Sequence, residues 1–199
     1  ENAQRFTTSL SKVYRYVLEQ KDKDLVPIEE ELAFAKTYMN LLQMRFENSL
    51  TYEVLVDNFH IESKVVPLSL QLLLENTIKH NVVSEENPLT VIIEEKEGYL
   101  VVSNNYNPKT VLEKGTKVGL QNIVDRYHLL TLKKVEITKT SESFTVKLPL
   151  LTQKQHRKAN CSILPAWFLP LQLSQHNQSK HLLAVCQDLQ MTIREVEVP

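Results

Sequence analysis

The stretch VPLSLQLLLENTIKHNVV (66–83) decides how the rest of the chain is read. Its upstream turns, with Leu68, Leu70, Leu72, Leu73 and Leu74, are apolar nearly all round, as in a helix buried on every side. It then ends in an acid, an amide, an ammonium and an imidazole: Glu75, Asn76, Lys79 and His80. At ~100° per residue these four fall within a sector roughly 140° wide. Glu75 and Lys79 are i,i+4, as are Asn76 and His80. The spacing predicts a deep helix, with Pro67 at its start, that delivers one polar cluster at its C-terminal end. An amide oxygen is a hard ligand suited to Mg²⁺, which keeps several waters and shares itself with phosphate oxygens. Lys79 offers a point charge for a phosphate, and His80 can donate a hydrogen bond. The plainer reading stays open: a helix end emerging into water with an ordinary Glu75–Lys79 pair.

Around this helix the periodicity changes twice. Residues 1–20 read as a helix, with Phe6, Leu10, Val13 and Val17 on one stripe. The run KDKD (21–24) is a solvated break. A second helix opens at Val26-Pro27-Ile28, with Pro27 in its first turn and Glu29, Glu30 and Glu31 suited to its positive end. Its stripe of Ile28, Leu32, Ala35, Met39, Leu42 and Phe46 is a narrow seam for another helix. From residue 51, TYEVLVD alternates as a strand. LTVIIEEKEGYLVVSNN (89–105) reads as a hairpin turning at Lys96-Glu97-Gly98. Residues 106–118 are loop. GLQNIVDRYHLL (119–130) is an amphipathic helix. KKVEITKTSESFTVKLPLL (133–151) is a second hairpin turning near Ser141-Glu142-Ser143. Helices interrupting a mostly antiparallel set of strands predict a two-layer α+β sandwich, helices on one face, preceded by two helices. The division expected is 1–48 helical, 49–151 sandwich, and 152–199 an accessory or disordered tail.

The bulk numbers narrow the function classes. The chain has 199 residues, 42% of them hydrophobic, and 23 basic residues stand against 24 acidic for a formal charge of −1. That balance gives no electrostatic reason to propose nucleic acid or an anionic membrane as partner. The two cysteines, Cys161 and Cys186, make no metal spacing and no disulfide framework, and no His, Asp and Glu cluster has ligand spacing, which disfavours a metal–carboxylate hydrolase. No apolar run reaches the ~20 residues that cross a bilayer. The chain opens on Glu rather than Met, so membrane attachment is expected only through segments outside these residues.

Two further signals sit downstream. Gly115-Thr116-Lys117-Val118-Gly119-Leu120 lies between loop and helix start, where free backbone N–H groups make an anion site; a mere helix-entry glycine reads the same way. Val101-Val102-Ser103-Asn104-Asn105 closes a strand with two amides, which can also simply cap a turn. The three signals in this order are more specific than any one.

With them the chain from about Asn2 to Leu151 resembles sensor histidine kinases of the LytS/YehU type, whose ATP-binding domain shares its Bergerat-type fold with gyrase, Hsp90 and MutL ATPases. The segments that carry the resemblance are LSKVYRYVLEQ, VPIEEELAFAKTYMNLLQMRFEN, VPLSLQLLLENTIKHN, VVSNN and VGLQNIVDRYHLL. It implies ATP and Mg²⁺ as cofactors, with Asn76 on the metal and Lys79 and His80 facing the phosphates and the lid. Glu75 matches the motif with its role open. Asn104 takes the place where many members put an adenine-reading Asp, and Asn105 follows it. Residues 106–118 become the ATP lid, with Gly115 within it and Gly119-Leu120 its hinge. Asn122 and Arg126 lie on the next helix. It also implies a homodimer through the N-terminal helices, a response regulator as partner, and a cytoplasmic domain of an inner-membrane sensor. The sequence departs from the family's Asp-Asn-Gly-x-Gly at Asn104-Asn105-Tyr106-Asn107-Pro108, and Lys117 replaces the first glycine of Gly-x-Gly-Leu. The family's acceptor histidine lies upstream of LSKVYRYVLEQ, whereas no histidine here precedes His60. The expected activity is therefore transfer of the γ-phosphoryl of ATP to a histidine outside this chain. The alternatives are a degenerate module that binds nucleotide or a partner without catalysis, and a helical-hairpin adaptor with no ligand.

Overall fold

A computed structural model describes residues 2–20, 23–56, 63–109 and 118–152. The expected tail, apart from Thr152, lies outside them.

Helix α1 (Asn2–Glu19) leads to α2 (Ile28–Phe46) through a two-residue strand, β1 (Val26–Pro27). Pro27 sits one position before the helix, at φ −55° and ψ 139°, still extended and paired. The stripe expected on α2 is buried at Ile28, Leu32, Ala35, Met39 and Leu42, but so are Phe34, Tyr38 and Leu41. The seam is thus wider than the sequence pattern suggests, because α2 packs against α1 and against the leucine helix, α3 (Ser69–His80). Tyr16 of α1 stacks on Phe34 with ring centroids 4.7 Å apart, and Phe34 continues onto Tyr38.

A short 3-10 turn (Glu47–Ser49) feeds β2 (Leu50–Leu55). β3 (Lys64–Val65) pairs antiparallel with β1. After α3 come β4 (Leu89–Lys96) and β5 (Tyr99–Asn105), then α4 (Val118–Leu130), β6 (Glu136–Lys139) and β7 (Ser143–Pro149). The main sheet runs β2-β4-β5-β7-β6. β2 lies parallel to β4, and every other neighbour is antiparallel. A parallel pair needs a crossover, and α3 lies within it. The β4–β5 hairpin turns at Glu97 and Gly98, both at positive φ (54° and 76°). That is the backbone a two-residue hairpin turn demands and glycine supplies without strain.

The architecture is the two-layer α+β sandwich expected from the order of elements. Leu89, Val91, Ile93, Leu100, Val102, Val146 and Leu148 share one core with α2, α3 and α4. β6 is exposed along its whole length. The β1–β3 ladder also joins the two sides of the expected division at residues 48 and 49.

Asn104 ends a row on the helix-facing side of the sheet. Leu100 and Val102 precede it at the period of two that keeps side chains on one face, and its cross-strand partners are Val91 and Phe144. An amide therefore stands where the alternation calls for an apolar residue, and it is only 5% exposed.

Candidate nucleotide site

The N-terminus of α3 is held by an acid from another helix. Glu31, fully buried on α2, accepts from the backbone N–H groups of Leu68 (2.7 Å, to Oε1) and Leu70 (3.1 Å, to Oε2), and its Oε1 also accepts the Tyr16 hydroxyl at 2.7 Å. The sequence expectation placed Glu31 with Glu29 and Glu30 at the positive end of their own helix. It serves α3 instead, because residue 31 lies on the inward face of α2, where first-turn N–H groups of α3 need an acceptor. Burial pushes the Glu31 carboxyl above its ordinary value, while Tyr16, the two N–H groups and the nearby Arg126 pull the other way. Burial likewise raises the Tyr16 hydroxyl, with Glu31 adding to the shift. Leu68, just before the helix, has φ +64°, a left-handed backbone unusual for leucine.

At the other end, α3 presents the polar cluster. Glu75, Asn76, Lys79 and His80 are each half-buried. The Asn76 amide faces the first turn of α4: a Cβ built on Gly119 would lie 3.7 Å from its Nδ2 and 3.8 Å from its Oδ1. The residues of two separate motifs thus meet. Glycine leaves the α4 backbone bare beside the amide, at a helix end where N–H groups have no intrahelical partner. Replacing Gly119 with Ala is expected to leave the melting temperature unchanged or slightly raised, since the new methyl makes only ordinary contacts and alanine favours helix by up to about 1 kcal/mol. The same methyl crowds the space beside Asn76, so Mg·ATP affinity should fall about tenfold by calorimetric titration.

Asn104 is joined to this cluster through Thr77. The Thr77 hydroxyl lies 2.9 Å from the Leu73 carbonyl and 3.3 Å from Asn104 Oδ1, while Asn104 Nδ2 donates to the Asn105 carbonyl at 2.6 Å. Asn105 does not face the cluster. Its Oδ1 accepts from the Thr90 N–H and its Nδ2 donates to the Pro88 carbonyl, so it fastens the start of β4.

The root of the loop after β5 is tied to the end of α3. Asn81 Nδ2 donates to the Thr77 carbonyl and its Oδ1 accepts from the Asn107 N–H. Val82 N–H donates to the Asn107 carbonyl, and Lys109 N–H to that of His80. Lys109 Nζ donates to the Ile78 carbonyl at 3.3 Å. Burial lowers the His80 pKa, and the charges of Lys79 and Lys109 lower it further, which favours the neutral imidazole. Tyr106, where the family pattern has glycine, carries the Lys139 ammonium 4.4 Å from its ring centroid.

The remaining expected residues are more scattered. Gly115 lies outside the described residues. Leu120 packs against the core and Asn122 is half-buried on α4. Arg126 turns to the far end of α3, where Nη1 donates to the Pro67 carbonyl at 3.0 Å, and burial lowers its pKa. Thr77, Asn81 and Glu31 were not singled out in the sequence. Thr77 carried a legible signal: it falls four residues after Leu73 on the buried face, where a hydroxyl must find a partner. Among the described residues, no three His, Cys, Asp or Glu come together to hold a metal.

Residues 1–50 match the Histidine kinase family model. The Sensor protein LytS of Enterococcus faecalis is 32% identical over 142 residues, covering 63% of this chain and 24% of that protein. Over these residues the chain is similar to LytS sensor histidine kinases. The Sensor histidine kinase YpdA of Escherichia coli is 28% identical over 144 residues, which is 65% of this chain and 25% of YpdA. The chain therefore spans about a quarter of the length of these curated proteins. The solved cytoplasmic segment of histidine kinase QseC aligns with a TM-score of 0.44 at 16% identity, over 65% of this chain and 78% of that one. Among the described residues no helix is long and apolar enough to cross a membrane.

Proposed function

We propose that residues 49–151 are the ATP-binding catalytic domain of a sensor histidine kinase. It transfers the γ-phosphoryl of ATP to a histidine outside this chain for relay to a response regulator. The observation that carries this reading is the Asn76 amide set against the glycine-bared first turn of α4, on a chain related to LytS sensors. The residues fit the ligand. The amide is a hard oxygen donor for Mg²⁺, Gly119 leaves room beside it, and the half-buried Lys79 lies one turn further along the same helix. When bound, ATP supplies the phosphoryl group and Mg²⁺ the counter-charge to its oxygens. The chain's own share is placement. Asn76 would hold the metal, Lys79 and the N–H groups at Gly119 would face phosphate oxygens, and His80 would donate a hydrogen bond. The root of the loop after β5 is tied to Asn81, and residues 110–117 of the expected lid lie outside the described residues. Residues 1–48 carry the homodimer contact and the link to the acceptor, residues 152–199 are accessory, and the domain is the cytoplasmic part of an inner-membrane sensor. Titration with Mg·ATP tests the reading, and no binding by the 199-residue chain would end it.

A degenerate, non-catalytic module is the second reading, favoured by Asn104. Its neutral amide is already engaged by Thr77 and the Asn105 carbonyl. The substitution Asn104→Asp separates the two. A carboxylate beside the Thr77 hydroxyl makes a charge-assisted bond to the adenine amino group, roughly twice as strong as a neutral one. A working adenine pocket should gain about fivefold in affinity, since one such bond contributes about 1 kcal/mol. The contact to the Asn105 carbonyl turns repulsive, so the melting temperature without nucleotide should drop. An affinity that stays flat or falls favours the degenerate module.

A further inference from the structure

The segment 66–70 is where four helices are tied together. Glu31 of α2 holds the Leu68 and Leu70 N–H groups, and the Tyr16 hydroxyl of α1 shares Oε1 with Leu68. From the other side, Arg126 of α4 donates to the Pro67 carbonyl and the Tyr127 hydroxyl accepts from the Val66 N–H at 3.3 Å. α3 and α4 are also the helices that meet at Asn76 and Gly119. Asn76 is eight residues beyond Leu68, about 12 Å along a stiff helix, so a shift of the first turn is carried to the amide. The tie holds Leu68 in a strained backbone. Its left-handed backbone (φ +64°) persists only while its surroundings enforce it, and the acceptor on its N–H is one of them.

We propose that Tyr16 and Glu31 are positioning residues: the Tyr16 hydroxyl, through Glu31, fixes the first turn of α3 and so places Asn76, which lets displacement of α1 be felt at the nucleotide site. The last clause rests on the function proposed above. The first part concerns this chain alone.

The experiment compares Tyr16→Phe with Val13→Ala in the 199-residue chain. Tyr16→Phe keeps the ring stacked on Phe34 and removes only the hydroxyl. Val13→Ala loosens the buried α1 packing without touching Glu31. Both are measured well below their melting temperatures. Hydrogen exchange is read at the amides of α3 from Leu72 to Ile78, where loss of a hydrogen bond to a charged group should speed exchange about tenfold in Tyr16→Phe. The Val13→Ala chain should match the wild type there. Mg·ATP affinity is read in parallel and should fall at least about threefold in Tyr16→Phe alone. Equal α3 exchange in Tyr16→Phe and wild type, or equal acceleration by Val13→Ala, overturns the positioning role. An unchanged Mg·ATP affinity overturns the coupling. A wild-type chain that does not bind Mg·ATP sinks the proposed function, while the exchange comparison still decides the placement of α3.

Discussion

Replacing Asn76 with Ala is expected to lower Mg·ATP affinity about 100-fold and to remove its dependence on Mg²⁺. Mutating a group that merely orients a metal ligand typically costs 10–100-fold, and a direct ligand belongs at the top of that range. The wild-type chain should bind ATP much more weakly in EDTA, whereas the variant should bind alike with and without the metal. Folding should be little affected, because Asn76 is half-buried and faces the first turn of α4 rather than the core. A titration in which the variant keeps wild-type affinity, with circular dichroism showing both chains folded, would remove Asn76 from the site.

The largest loss of stability is expected at Glu31. Its carboxylate receives three donors inside the fold, and alanine leaves two helix N–H groups and a tyrosine hydroxyl without it. Each orphaned buried donor costs about 1–3 kcal/mol. A loss of about 4 kcal/mol lowers the melting temperature by about 8–16 °C at this size. The pH dependence has a definite sign. Burial raises the folded-state pKa of Glu31 above the ordinary 4.5, so the folded state holds the proton more tightly than the unfolded chain. The stabilisation from that shift is fully present below about 4.5 and is lost as pH rises through the folded-state value. Glu31→Gln, which cannot ionise, should flatten that part of the stability profile. A wild-type curve that instead gains stability across this window, relative to Glu31→Gln, would show that the three donors outweigh desolvation.

These two residues also mark what the sequence could and could not convey. The polar cluster of Glu75, Asn76, Lys79 and His80 was legible because a helix that is leucine on nearly every side changes character there, and the fold sets the Asn76 amide beside Gly119. The hairpin at Glu97-Gly98 was legible because few residues tolerate its backbone, and the order of elements was enough for the sandwich. Glu31 was not. Three consecutive acids at a helix start have an adequate local explanation, and only the packing of α2 between α1 and α3 separates the buried one from its neighbours. The bonds of Asn105 to the start of β4 were not legible for a related reason. Adjacent amides look equivalent in a motif, but alternation along β5 sends Asn104 toward α3 and leaves Asn105 to the entry of β4. The β1–β3 pairing joins strands of two residues each, too short to leave any period.

That small ladder has a consequence for synthesis. Lys64 exchanges backbone hydrogen bonds with Leu151 as well as pairing with Pro27, so positions near 27, 64 and 151 close on one point. A ribosome adding roughly 5–20 residues per second releases α2 about 10 s before the last strand appears. Through that interval the apolar flank of α2 has no finished seat, and a nascent chain stalled before Leu151 would be the species most in need of a chaperone.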